Sequence, residues 1–138
     1  METIQGGKSL FSRIGELHLP ANNIDETIEW YQNKLGFKLK MPKFKDDLGY
    51  VAVLTPAEGE AVLLLVETND NTTANFLRDG RKYQTFALYC PDLEYTHKSL
   101  KNAGVEVTEI YSRGEGARYF IFTDPSGNYV EAAWSKWD

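Results

Sequence analysis

Hydrophobic and polar positions alternate through Arg13–Leu19, with Leu17 and Leu19 on one side and Glu16 and His18 on the other, the period of a strand. Pro20 is expected to end that strand. Asn22 or Asn23 offers a helix cap, and Ile24, Thr27, Ile28, Tyr31 and Leu35 then recur at helical spacing until Gly36, a left-handed stop. Three strand-like runs follow, Phe37–Met41, Tyr50–Leu54 and Ala61–Glu67, separated by the turn-rich segments Lys45-Asp46-Asp47 and Pro56-Ala57-Glu58-Gly59. The first half therefore reads β-α-β-β-β.

Residues 68–80 lack a sustained apolar period and form the best linker candidate. Beyond them Tyr83–Tyr89 is strand-like. Pro91-Asp92 opens a second helix whose buried stripe is Leu93, Thr96, Leu100 and Ala103, and Gly104 ends it. Val105–Ile110, Ala117–Thr123 and Asn128–Trp134 read as strands. The order β-α-β-β-β thus occurs twice, in a first module over residues 12–67 and a second over 81–135, and Leu-Gly-Phe after one helix is answered by Ala-Gly-Val after the other. Each module has about 60 residues, a marginal size for an independent core, so the two are expected to share packing within one α+β domain or with a second chain, which makes a homodimer the expected assembly.

Composition narrows the class. The 138 residues carry 42% hydrophobic and 25% charged side chains, the balance of an ordinary folded domain. Fifteen Lys and Arg against twenty Asp and Glu give a formal charge of −5, which repels phosphate backbones and argues against nucleic acid as a partner. No apolar run is long enough to span a bilayer, and Met1–Ser9 lacks the apolar stretch of a secretory signal, so a cytoplasmic protein without a membrane partner is expected. The single cysteine, Cys90, reads as a small buried residue, and any metal must use nitrogen and oxygen ligands. Gly6-Gly7-Lys8 lacks the remaining glycine of a phosphate loop and reads as a flexible terminus. His97 beside the second helix's apolar stripe reads as a structural histidine, and Arg78, Arg81 and Lys82 as solvated surface.

Residues 22–37, Asn-Asn-Ile-Asp-Glu-Thr-Ile-Glu-Trp-Tyr-Gln-Asn-Lys-Leu-Gly-Phe, resemble the first helix and following turn of the superfamily that includes glyoxalase, bleomycin-resistance proteins and extradiol dioxygenases, the vicinal oxygen chelate proteins. The segment Phe122-Thr-Asp-Pro-Ser-Gly-Asn-Tyr-Val-Glu131 is similar to the closing hairpin of that superfamily, and the stretch from Pro91-Asp92-Leu93 to Gly104 agrees with its second helix. The resemblance implies tandem βαβββ modules whose curved mixed sheets enclose a cavity, commonly completed by dimerisation. The same scaffold hosts lyases, isomerases, dioxygenases and plain drug binders, so the fold alone does not set the chemistry.

In metal-using relatives the cavity holds one divalent ion, bound from the first and fourth strands of each module. Carried over position by position, the resemblance puts the first ligand on Glu16, with His18 two residues on as a further ligand or general base. The fourth-strand position falls near Leu64, which cannot coordinate, and the second module's first-strand position falls on Thr85, a weak ligand at best. Glu131 is retained in its hairpin setting and is expected to face the cavity with Tyr129 and Ala133. Tyr83 and Tyr89 on the strand of Thr85, with Tyr129, suit the walls of a pocket for planar ligands, Trp30 and Trp134 being close in sequence.

Two carboxylates facing one partly apolar cavity need a positive neighbour. The candidates are a divalent ion (Mn, Mg, Fe, Ni or Zn) held by Glu16, His18 and Glu131, a cationic ligand, or an internal partner such as Arg118 or protonated His18. Two functions follow. One is a metal-dependent lyase- or dioxygenase-like enzyme in which Glu131 and His18 are catalytic and move a proton beside a carbonyl. The other is a metal-free small-molecule (drug) binding protein of bleomycin-resistance type.

Overall fold

A computed structural model describes residues 9–56 and 62–138. Gly6-Gly7-Lys8, the turn at Ala57-Glu58-Gly59 and the start of the Ala61–Glu67 run lie outside the described residues.

The chain runs through β1 (Leu17–Ala21), α1 (Ile24–Leu35), β2 (Lys38–Leu39), β3 (Phe44–Lys45), β4 (Tyr50–Thr55), β5 (Leu63–Glu67), β6 (Phe76–Arg78), β7 (Arg81–Tyr83), β8 (Ala87–Tyr89), α2 (Leu93–Asn102), β9 (Tyr111–Ser112), β10 (Ala117–Thr123) and β11 (Tyr129–Ser135). The first sheet has the order β1-β5-β4-β2, with β3 also on β4, and the second the order β8-β11-β10-β9. In each, the module's first strand lies parallel to its last, β1 to β5 and β8 to β11, and the other pairs are antiparallel. Two mixed sheets, each with one helix, make this the expected α+β architecture, and the repeat is visible as a repeated topology.

The helices begin and end where side-chain chemistry dictates. Asn23 caps α1 by accepting from the Glu26 N–H, Asp25 and Glu26 sit in the first turn, and Gly36, at φ 74°, closes the last turn by donating to Gln32. Asp92 caps α2 by accepting from the Tyr95 N–H at 3.2 Å. Ile24, Thr27, Ile28 and Tyr31 of α1 are buried against Leu19, Ala52, Leu54, Leu63 and Leu65 of the first sheet. Leu93 and Leu100 of α2 cover Phe120, Phe122, Val130 and Ala132 of the second. Trp30, Leu35, Phe86 and Leu88 pack against both clusters, and Trp30 stacks on Phe122 with ring centroids 6.3 Å apart. The helix sides of the two sheets therefore form one continuous core.

A buried polar clasp ties the halves together. The Tyr31 hydroxyl donates to Asp124 Oδ2 at 2.8 Å, and Asn128 Nδ2 donates to that same oxygen at 2.9 Å and to the Pro20 carbonyl at 3.0 Å. Asn128 Oδ1 accepts from the Ala74 N–H at 2.8 Å. Burial lifts the Asp124 carboxyl above the usual carboxylate range, against the pull of donors from Asn128, Tyr31 and Ser126. Burial and the neighbouring Asp124 both push the Tyr31 hydroxyl well above its ordinary value.

Several expectations are corrected. Strand β1 continues through Pro20 to Ala21, because β1 is an edge strand and the missing proline N–H costs no ladder bond there. Residues 68–80 are not all linker: Phe76–Arg78 and Arg81–Tyr83 pair as a hairpin around Asp79 (φ 52°) and Gly80 (φ 77°), a two-residue turn with both φ positive. The expected strand Tyr83–Tyr89 is broken, Tyr83 closing that hairpin and only Ala87–Tyr89 joining the second sheet. Val105–Ile110 is irregular, with one bridge from Val107 to Phe122. There the Thr108 hydroxyl accepts from the Ile121 N–H, and the Thr108 carbonyl is paired with His97 Nε2, so backbone ladder bonds are diverted to side chains.

Candidate functional site

Strand alternation and register divide each sheet into a helix side and an open side. On β11, Val130 and Ala132 point into the core, so Tyr129, Glu131 and Ala133 share the open side. Glu131 is paired with Ile121 and Ala87, and Ala133 with Tyr119 and Tyr89, which places those residues on the same surface. Tyr111, opposite Tyr119, extends it. The open side of the second sheet is thus a tyrosine-rich surface with one acid at its centre.

That acid is 5% exposed and fully partnered. Arg113 grips it with two hydrogen bonds, Nη1 to Oε2 at 2.7 Å and Nη2 to Oε1 at 3.0 Å, and Gln84 Nε2 donates to Oε1 at 2.6 Å. Arg113 also donates to the Tyr83 hydroxyl at 3.1 Å and lies over the Tyr119 ring at 4.0 Å. Hydrogen bonding to Glu131 pushes the guanidinium still further above its ordinary range, so it stays charged at any working pH. Because Gln84 must donate toward the carboxylate, its own Oε1 is buried without a partner among the described residues, a state that costs about 1–3 kcal/mol.

The other expected site residues are distributed differently. Leu17, Leu19 and Ala21 of β1 belong to the first core, which leaves His18 on the open side of the first sheet, opposite Leu64. Glu16 and His18 are exposed, and their side chains meet at 3.4 Å. Glu16, His18 and Glu131 are not brought together: among the described residues no group of three or more His, Cys, Asp or Glu could hold a metal ion. Leu64 offers no donor, Thr85 is exposed in the break between β7 and β8, and both oxygens of Glu131 are occupied by protein donors. Within one chain the described residues do not assemble the ligand set that the resemblance implied.

Arg118, expected as the internal cation, lies on the opposite side of β10, where it pairs with Glu94 of α2 and sits beside Trp134. The residue that performs the role is Arg113, five positions earlier in Ser112-Arg113-Gly114-Glu115-Gly116. A glycine-rich stretch carries no periodicity, so only the requirement for a positive neighbour signalled it. Tyr83 reaches the surface from the hairpin, and Tyr89 is 57% exposed on the edge strand β8. Trp30 and Trp134 belong to the helix side.

The family model of the Glyoxalase/Bleomycin resistance protein/Dioxygenase superfamily matches residues 13–132, and the chain belongs to that superfamily. No curated protein matches it. Among solved structures it is similar to TnmS3, an antibiotic binding protein from Streptomyces sp. CB03234, with 19% identity, coverage of 94% of this chain and 100% of that one, and a TM-score of 0.76. A superfamily member from Sphaerobacter thermophilus DSM 20745 is 20% identical over 92% of this chain and 100% of its own, with a TM-score of 0.73. TioX from Micromonospora sp. ML1 is 16% identical over 90% and 96%, with a TM-score of 0.63. At these identities the likeness concerns the fold.

Proposed function

We propose that the protein is a small-molecule-binding protein that holds a planar aromatic ligand on the open side of its second sheet, in a pocket completed by a second copy of the chain. The observation that carries this reading is the engagement of both Glu131 oxygens by Arg113 and Gln84. With Oε1 accepting two hydrogen bonds, Oε2 one, and its charge already matched by Arg113, this acid is a poor metal ligand and a poor base, whereas the guanidinium and the tyrosine rings around it form a flat, polarised wall. Since Arg113 already neutralises Glu131, the ligand need not be cationic. Acceptor oxygens on an aromatic frame suit the remaining guanidinium N–H groups better. The antibiotic-binding neighbour supports the reading.

The open sides support a homodimer as part of this reading. Val53, Leu64 and Val66 of the first sheet and Tyr89 and Tyr111 of the second are left half-covered or exposed, an apolar surface suited to burial against a partner. A cytoplasmic location belongs to this reading; no helix among the described residues is long and apolar enough to cross a membrane.

The second reading is a metal-dependent lyase- or dioxygenase-like enzyme, favoured by the Glu16–His18 pair on the open side of the first sheet. One experiment separates the two. Chelator-treated protein is titrated calorimetrically with a panel of planar aromatic oxygen compounds, alongside Tyr119→Ala and elemental analysis of the untreated wild type and Glu131→Ala. Binding that survives chelation and is lost in Tyr119→Ala is expected. Binding that requires added metal, with stoichiometric metal lost in Glu131→Ala, would overturn the proposal.

A further inference from the structure

A second candidate site lies at the edge strand β8, where the open-side residues Ala87 and Tyr89 form its outer rim. A groove of about 510 Å³ runs between the C-terminal end of α1, helix α2 and strand β8, well within the roughly 300–1,000 Å³ of ligand pockets. Its walls are Leu35 and Phe37 from the first module and Leu88, Leu100 and Phe122 from the second. A neighbouring gap lined by Leu17, Tyr31 and Phe86 holds only about 20 Å³, the size of a water molecule, so the groove is the one of the two that can take an organic ligand.

Its polar groups are few and unequal. Cys90 is a buried thiol pushed up by that burial, with Sγ directed at the Asp92 carbonyl, so it serves as wall rather than as nucleophile. Thr96 adds a hydroxyl. Among the described lining residues Lys34 is the one charged side chain. Its Nζ donates to the Ala103 carbonyl at 2.8 Å, which holds the ammonium at the rim and leaves its other N–H groups for a ligand. An apolar trough with one anchored cation at its edge complements an amphipathic anion.

We propose that this groove is a second ligand site, which takes a small molecule with an apolar body and a single carboxylate or sulfonate, the body lying on Leu35, Leu88 and Tyr89 and the anion meeting Lys34. Because the walls come from both modules, such a ligand bridges them. This inference is independent of the reading of the open sheet surface.

The test uses two dyes of similar frame, the anionic 8-anilinonaphthalene-1-sulfonate and the neutral N-phenyl-1-naphthylamine, titrated by fluorescence into the full chain. In the Tyr119→Ala background, which removes the site proposed on the open side, one saturable site per protomer is expected. Lys34→Met is expected to weaken the sulfonate about tenfold while leaving the neutral dye unchanged, and Lys34→Arg to restore it. Thr96→Phe, which fills the groove from a half-buried position of α2, is expected to abolish binding of both dyes, with circular dichroism confirming the fold. Tyr119→Ala itself should leave binding of both dyes in the groove in place. The inference is overturned if the sulfonate fails to bind, if Lys34→Met affects the two dyes alike or not at all, or if Tyr119→Ala rather than Thr96→Phe removes the signal. Lys34 is a surface residue, so its pair of titrations decides the matter even if Thr96→Phe folds poorly.

Discussion

Replacing Arg113 by methionine keeps most of the aliphatic stem and removes the two hydrogen bonds of 2.7 and 3.0 Å that hold Glu131. The Glu131 side chain is 7% exposed, so its carboxylate is left in a poorly solvated place with only the Gln84 amide for company. Breaking a fully buried pair in this way costs about 3–5 kcal/mol. Arg113 is itself 45% exposed, so water can enter where the guanidinium stood, and the expected loss falls to about 1.5–3 kcal/mol. In urea, with an m-value of about 1–3 kcal/mol/M, the midpoint should drop by roughly 1 M at unchanged slope. Glu131→Gln removes the charge and leaves the guanidinium near water, so it should cost only about 1 kcal/mol. The double variant should then match Glu131→Gln within about 0.5 kcal/mol, a coupling that exposes the pair as the cause. An Arg113→Met protein as stable as the wild type, or one whose defect Glu131→Gln does not relieve, would refute the argument that the cation holds the acid in place.

Other outcomes follow from the same physics. Tyr31 keeps its proton in the folded state beyond the pH of about 10 at which an unfolded tyrosine ionises, so its contribution is complete below that pH and drains away as pH rises toward the folded value. Tyr31→Phe should cost about 1–3 kcal/mol at neutral pH and flatten the alkaline limb of a stability-against-pH curve measured by urea melts. Asn128→Ala strands the Ala74 N–H and the Pro20 carbonyl and opens a hole beside Asp124, and should lower stability by about 3 kcal/mol or more, read from the thermal midpoint. Cys90 should react with a thiol-specific chromogenic disulfide far more slowly than free cysteine in native buffer and fully in denaturant; rapid native labelling would contradict its burial.

The fold was largely legible because its determinants are local and periodic. Asn23, Gly36, Asp92 and Gly104 bracket the helices as their chemistry demands, and the alternation over Tyr50–Leu54, Ala117–Thr123 and Asn128–Trp134 survives as β4, β10 and β11. The second module's irregularities were hidden because they arise from long-range competition: the Thr108 hydroxyl displaces a ladder bond to Ile121, which no window around Val105–Ile110 reveals. The hairpin at Arg78-Asp79-Gly80-Arg81 did carry a signal, its Asp-Gly turn, outweighed by the polar residues before it. At the candidate site, the requirement for a cation beside Glu131 could be read from burial physics, but its source could not. Arg113 and Arg118 differ by whether a side chain points to the open or the helix side, which depends on where β9 ends and β10 begins. Gln84 was invisible because its role exists only once β7 and β8 are separated.

The clasp between Tyr31, Asp124 and Asn128 makes the two halves of repeated topology depend on each other. Each supplies what the other lacks: the first contributes a phenol and the Pro20 carbonyl, the second the acid that accepts from the phenol and the amide that donates to the carbonyl. Cut at the Asp79-Gly80 turn, neither fragment has a complete set of partners for its buried polar groups, and the two should be insoluble when made separately yet recover a common core when mixed from denaturant. Two halves of the same topology are thus not interchangeable, and a change in either is constrained by the other.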